Sequence, residues 1–188
     1  MTASLSSAST GAGTSRSRLP VLKIRDAVRS DAGVIHSLVS ELAEYERLAH
    51  AMSATEADFA RTLFDEPRVA RALIAEWEGA TAGLAIYFFN YSTFLARPGL
   101  HLEDLFVRPG HRKLGIGRRL LAELARRAQA AGCGRMEWAV LDWNEPAIRF
   151  YRALGAQPLD EWTVFRLERS GIAALAGEAR AEDAHPAR

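Results

Sequence analysis

Residues 101–117, HLEDLFVRPGHRKLGIG, constrain the chain more than any other stretch. They read as a strand, a glycine-bearing turn and the opening of a helix. Strand alternation puts His101, Glu103, Leu105 and Val107 on one face, and Leu102, Asp104 and Phe106 on the other. In the turn, Arg112 and Lys113 add positive charge, and Gly115 and Gly117 let a ligand approach the backbone closely. The first N–H groups of a helix lack intrahelical partners, and its dipole adds about half a positive charge there. A strand running into such a turn sets a carboxylate beside an anion site.

The flanking pattern supplies the rest of a fold. Alternation predicts strands over 21–25, 70–77, 82–91, 100–107, 135–141 and 162–167. Helical spacing predicts helices over 31–48, with Ser30 as cap, and from the Ser53–Glu56 capping box to about Asp65. Further helices are predicted over 115–131 and from Asn144 to Leu154. The link through Glu78, Gly79 and Ala80 favours an antiparallel hairpin. Strand–helix–strand crossovers make parallel neighbours. The expected class is therefore α/β (α+β), a mixed sheet with helices on both faces.

At 188 residues the chain suits one domain, expected over 21–168. Residues 1–20 are small and polar and are expected to be a disordered tail without a secretory signal. Residues 169–188 are expected to be a tail, helical to about Ala181. A net charge of +1 gives no overall field that favours nucleic acid or acidic lipid, and no apolar run approaches a membrane span. The single Cys133 rules out an internal disulfide and suits a reducing cytoplasm. Five scattered His and one Cys argue against a metal site.

Three phosphate motifs compete for the turn. Gly110 to Gly115 has P-loop spacing, but Ile116 and Gly117 stand where Lys and Ser/Thr are required. Gly115-Ile116-Gly117 begins a dinucleotide fingerprint, but Leu120 stands where its third glycine belongs. What remains is Arg-x-x-Gly-x-Gly, a pyrophosphate turn of the coenzyme A type, followed by Asn144-Glu145-x-Ala-x-x-Phe150-Tyr151. This pair, with LEDLFV and the upstream EYE, resembles the Gcn5-related N-acetyltransferase (GNAT) superfamily, and within it the diamine acetyltransferase group. The resemblance spans about Leu22 to Leu167 and excludes both tails.

The resemblance implies a mainly antiparallel sheet with a splayed parallel strand pair that holds acetyl-CoA. Leu105, Phe106 and Val107 would offer backbone groups to the pantetheine and thioester. Arg112, Lys113, Leu114, Gly115, Ile116, Gly117 and Arg118 would surround the pyrophosphate, and Asn144, Glu145, Pro146 and Ala147 would contact the cofactor arm. Glu103 matches the group's base, which must take a proton from an ammonium of pKa ~10.4. Its apolar strand face is expected to raise its pKa, while Asp104, on the opposite face, is read as structural. Tyr151 matches the acid for the departing thiolate and also contacts the cofactor. Tyr45, Glu46, Glu103, Glu137, Trp138, Ala139 and Glu161 are the implied substrate contacts.

Polyamine-specific members carry an acid after the tyrosine that Tyr91 matches, and a Trp two residues further on; here those positions are Ser92 and Phe94. That departure, with Tyr91-Ser92-Thr93 and 139–144, looks more like the thialysine acetyltransferase branch. The expected activity is acetyl transfer to a primary amine of a small molecule, by direct attack in a ternary complex. A protein or aminoglycoside acetyltransferase, and a non-catalytic acyl-CoA sensor, remain as alternatives. The resemblance also implies a homodimer. Structural readings stand beside each role: Glu103 as an ion-paired strand carboxylate, Tyr151 as a core tyrosine beside Phe150, His101 as a half-exposed strand histidine.

Overall fold

The computed structural model describes residues 20–183, which divide into two compact units between Leu141 and Asp142. The expected N-terminal tail lies outside the described residues. The first unit holds β1 (Leu22–Asp26), α1 (Ala32–Tyr45), α2 (Glu56–Phe64), β2 (Arg71–Trp77), β3 (Ala80–Ser92), β4 (Arg97–Val107), α3 (Ile116–Ala130) and β5 (Met136–Trp138). The second holds α4 (Glu145–Arg152) and α5 (Arg169–Asp183).

The five strands form one sheet in chain order. β1 to β4 pair antiparallel, and α3 carries the chain back so that β5 joins β4 in parallel. On one face, Ala72, Ile74, Leu84, Ile86 and Phe106 pack with Ile35, Leu38 and Leu42 of α1 and Leu63 of α2. On the other lies α3, whose buried stripe is Ile116, Leu120, Leu121, Leu124 and Ala128. Its Arg127 donates to the Tyr87 hydroxyl at 2.9 Å. Arg108, just past β4, ties the layers together: its guanidinium donates to both Glu41 oxygens on α1 and to the Thr81 carbonyl on β3.

Several local expectations are corrected. Ser30 does not cap α1; the cap residue is Asp31, whose carboxylate accepts from the Val28 N–H and from Arg25. The capping box of α2 is Thr55 with Asp58, two residues after the expected Ser53, because Asp58 reaches back to the Thr55 N–H at 3.0 Å. α1 stops at Tyr45 rather than Leu48: Arg47 takes φ +61°, and the Leu48 N–H closes on the Ala43 carbonyl. β5 is three residues long, not seven. Residues 162–167 form no strand. The second unit's regular elements are helices, so a strand there meets no edge within the unit to satisfy its backbone.

Candidate active site

The short β5 shapes the site. Leu100, His101 and Leu102 pair with Met136, Glu137 and Trp138, and there the pairing ends while β4 continues to Val107. The parallel strands therefore part at Glu103. Leu105, Phe106 and Val107 remain bound to Ala85, Leu84 and Gly83 of β3, with their other edge facing the gap. This agrees with the splayed pair that the resemblance implies, and it leaves the backbone groups of Leu105–Val107 without a partner on β5.

A bulge in β4 decides where the polar side chains go. His101 pairs with Phe88, Leu102 with Tyr87, and Asp104 with Ile86, so Glu103 is an extra residue with no partner on β3. Phe88 and Ile86 are two apart on β3 and share a face. His101 and Asp104 therefore share that face too, although they are three apart. The alternation expected to separate Glu103 from Asp104 breaks at this point. Asp104 joins the α1 side together with Phe106.

Electrostatics follow the bulge. Asp104 is half-buried, and its carboxyl is pushed up to about 6 by burial, then by the charges of Glu103 and Glu46. Glu46, at the closed end of α1, is itself pushed up by burial. Glu103, by contrast, has a side chain 59% exposed, so the apolar burial expected of it falls on Asp104 instead. Asp104 is the residue that sequence reasoning missed. Two adjacent carboxylates in an otherwise alternating strand were the available sign of a bulge.

Tyr45 stands beside this acidic group. The Arg112 guanidinium lies over its ring at 4.5 Å and over Phe106 at 5.9 Å, while its Nε donates to the Val107 carbonyl. Arg112 thus faces back toward α1 and links the glycine turn to Tyr45. Beyond it, Lys113 has φ +64° and Gly115 φ +80°. Gly115 is the cap residue of α3, and no side chain caps the helix. A Cβ on Gly115 would meet nothing within 4 Å. Uncapped N–H groups over open space, with exposed Lys113 and Arg118 alongside, fit a pyrophosphate.

On β5, Glu137 is ion-paired to Arg135 at 2.9 Å. Arg135 also donates to the Ser92 hydroxyl, and Ser92 is buried. The residue standing in place of a polyamine-reading acid thus anchors an arginine, and Phe94 is exposed. Trp138 is half-buried and Ala139 exposed just past the strand. In the second unit, Asn144 is buried and accepts from the Ala147 N–H at 3.4 Å, capping α4, whose first turn holds Glu145 and Pro146. Tyr151 is half-buried, its ring 5.4 Å from Phe150. Glu161 is exposed outside any helix or strand.

A mixed sheet whose parallel pairing ends beside an uncapped, glycine-led helix is an arrangement that suits a phosphorylated acyl carrier. The acetyltransferase (GNAT) family matches residues 35–156, and the chain belongs to that family as an acyltransferase. It is 38% identical over 166 residues to the thialysine N-epsilon-acetyltransferase of Bos taurus, covering 82% of this chain and 97% of that one. It is 31% identical to an L-ornithine N5-acetyltransferase of Arabidopsis thaliana, covering 81% and 87%. Among solved structures, an integron cassette protein of V. cholerae superposes with a TM-score of 0.71 at 25% identity, covering 82% of this chain and 97% of that one.

Proposed function

We propose that the protein transfers the acetyl group of acetyl-CoA to a primary amine of a small, lysine-like or ornithine-like molecule. The observation that carries this reading is the acidic group of Glu46, Glu103 and Asp104 at the mouth of the strand gap. It sits at the C-terminal end of α1, where the helix dipole adds negative character. Three carboxylates beside Tyr45 suit an ammonium far better than a neutral or anionic acceptor.

In this reading, Lys113 to Arg118 and the α3 N-terminus hold the pyrophosphate, and the free edge of Leu105–Val107 receives the pantetheine. Acetyl-CoA, once bound, supplies the acyl thioester. Asp104 and Glu46 draw the ammonium in, and Glu103, exposed at the bulge, takes its proton. Tyr151 gives its hydroxyl proton to the departing sulfur. The single Cys133 supports a reducing cytoplasmic setting, and exposed apolar side chains support a homodimer.

The test is CoA release across a panel of thialysine, lysine, ornithine, diamines, spermidine and an aminoglycoside. The small amino-acid amines should give the largest kcat/KM. Glu103→Gln should lower kcat by about 10²-fold or more, with CoA affinity retained. CoA binding without amine-dependent release would overturn the reading.

A further inference from the structure

We propose that His101 is a positioning residue of the amine site, controlling how strongly Glu103 receives an incoming ammonium. The inference rests on the function proposed above. It starts from the β4 bulge, which brings His101 onto the face of Asp104. The imidazole is stacked on Phe88, its partner across the ladder, with ring centroids 4.9 Å apart and planes at 30°. Its Nε2 stands 3.9 Å from Oε2 of Glu103. The ring is held by the stack, with 29% of its side chain exposed, while the Glu103 side chain is 59% exposed.

A separation of 3.9 Å is an ion-pair distance, longer than a hydrogen bond. The contact therefore matters most when the ring carries charge. An imidazolium and a substrate ammonium would then compete for one carboxylate, and their like charges would repel. A neutral ring leaves Glu103 to the amine.

The surroundings make that charge count. Asp104 shares the ring's face on β4, with Glu46 beyond it at the end of α1. Glu137 stands opposite His101 on β5, paired to Arg135. β3 contributes the uncharged Phe88. Arg112 is stacked over Tyr45 instead. Glu103 and Glu46 both act on the Asp104 carboxyl, and Glu137 is already paired to Arg135, so a charge on the ring lowers the negative excess around Glu103.

The test compares amine KM at about pH 6 and about pH 8.5, with acetyl-CoA saturating, in wild type and in His101→Gln. On acidification the wild-type KM should rise severalfold more than that of the variant, while kcat changes in parallel in the two. Asp104 also loses charge in this range, so the comparison is repeated in an Asp104→Asn background, where the difference should persist. His101→Phe keeps the stack and should behave as His101→Gln. Equal KM ratios in wild type and variants, or a wild-type ratio in His101→Phe, would overturn the proposal. If no amine is turned over, the function reading fails first. The pairing is then read by NMR in the cofactor-free protein at about pH 6. Displacement of the His101 ring-proton signal by Glu103→Gln supports the pairing, and an unmoved signal overturns it.

Discussion

Asp104 shows how one residue's environment sets both stability and chemistry. Its carboxyl is raised from 3.8 to about 6, so the folded state favours the protonated form. The cost of ionising it is absent below about pH 4 and complete above about pH 6 to 7, so this group lowers stability as pH rises through that window. The shift corresponds to roughly 2–3 kcal/mol. Asp104→Asn should therefore raise Tm by about 5 °C at pH 8 and hardly change it at pH 4. The same variant should raise the amine KM severalfold, because the charge that destabilises the fold attracts the ammonium. A variant no more stable at pH 8 than at pH 4, relative to wild type, would refute this account. The sequence revealed the carboxylate pair and its neighbourhood. It did not reveal which member is buried, because the extra residue in β4 leaves Glu103 without a partner on β3 and moves His101 onto the face of Asp104.

At the scale of the element, the strand–turn–helix of 101–117 was legible because each part has its own local signal. These are alternation in β4, a left-handed glycine in the turn, and a helical stripe in α3. The caps of α1 and α2 were less legible, since Ser30 and Ser53 have the right chemistry and only the reach of Asp31 and Asp58 decides between neighbouring sites. The turn makes a separable prediction. Gly115→Ala meets no steric obstacle but must hold φ +80°, which costs about 1 kcal/mol. Its methyl also enters the space over the α3 N–H groups. Tm should fall by about 3 °C, and the Kd for CoA should rise more than tenfold, by calorimetry. Gly110→Ala, with open space around it and no left-handed backbone, should leave both nearly unchanged. Equal CoA affinity in the two variants would remove the α3 N-terminus from the cofactor site.

For the whole molecule, the β-like pattern of 162–167 has no strand to match it. Trp162, Val164, Phe165 and Leu167 are 71, 86, 91 and 53% exposed, and Ile172 and Leu175 of α5 are also exposed. Alternation reports a preference for an extended, half-covered backbone, but it names no partner; a strand exists only where another edge completes its hydrogen bonds. Apolar surface concentrated in one stretch marks an interaction site more often than a solvated loop. A second copy of the chain is the partner that the proposed homodimer supplies. The 20.6 kDa chain should then sediment at twice its mass at micromolar concentration. Val164→Asp with Phe165→Asp should shift it to monomer, because two charges cannot enter an apolar contact without several kcal/mol of desolvation. The far-ultraviolet circular dichroism should be preserved, since both side chains are largely exposed in the single chain. A wild-type monomer, or a double variant that still dimerises, would detach this segment from assembly.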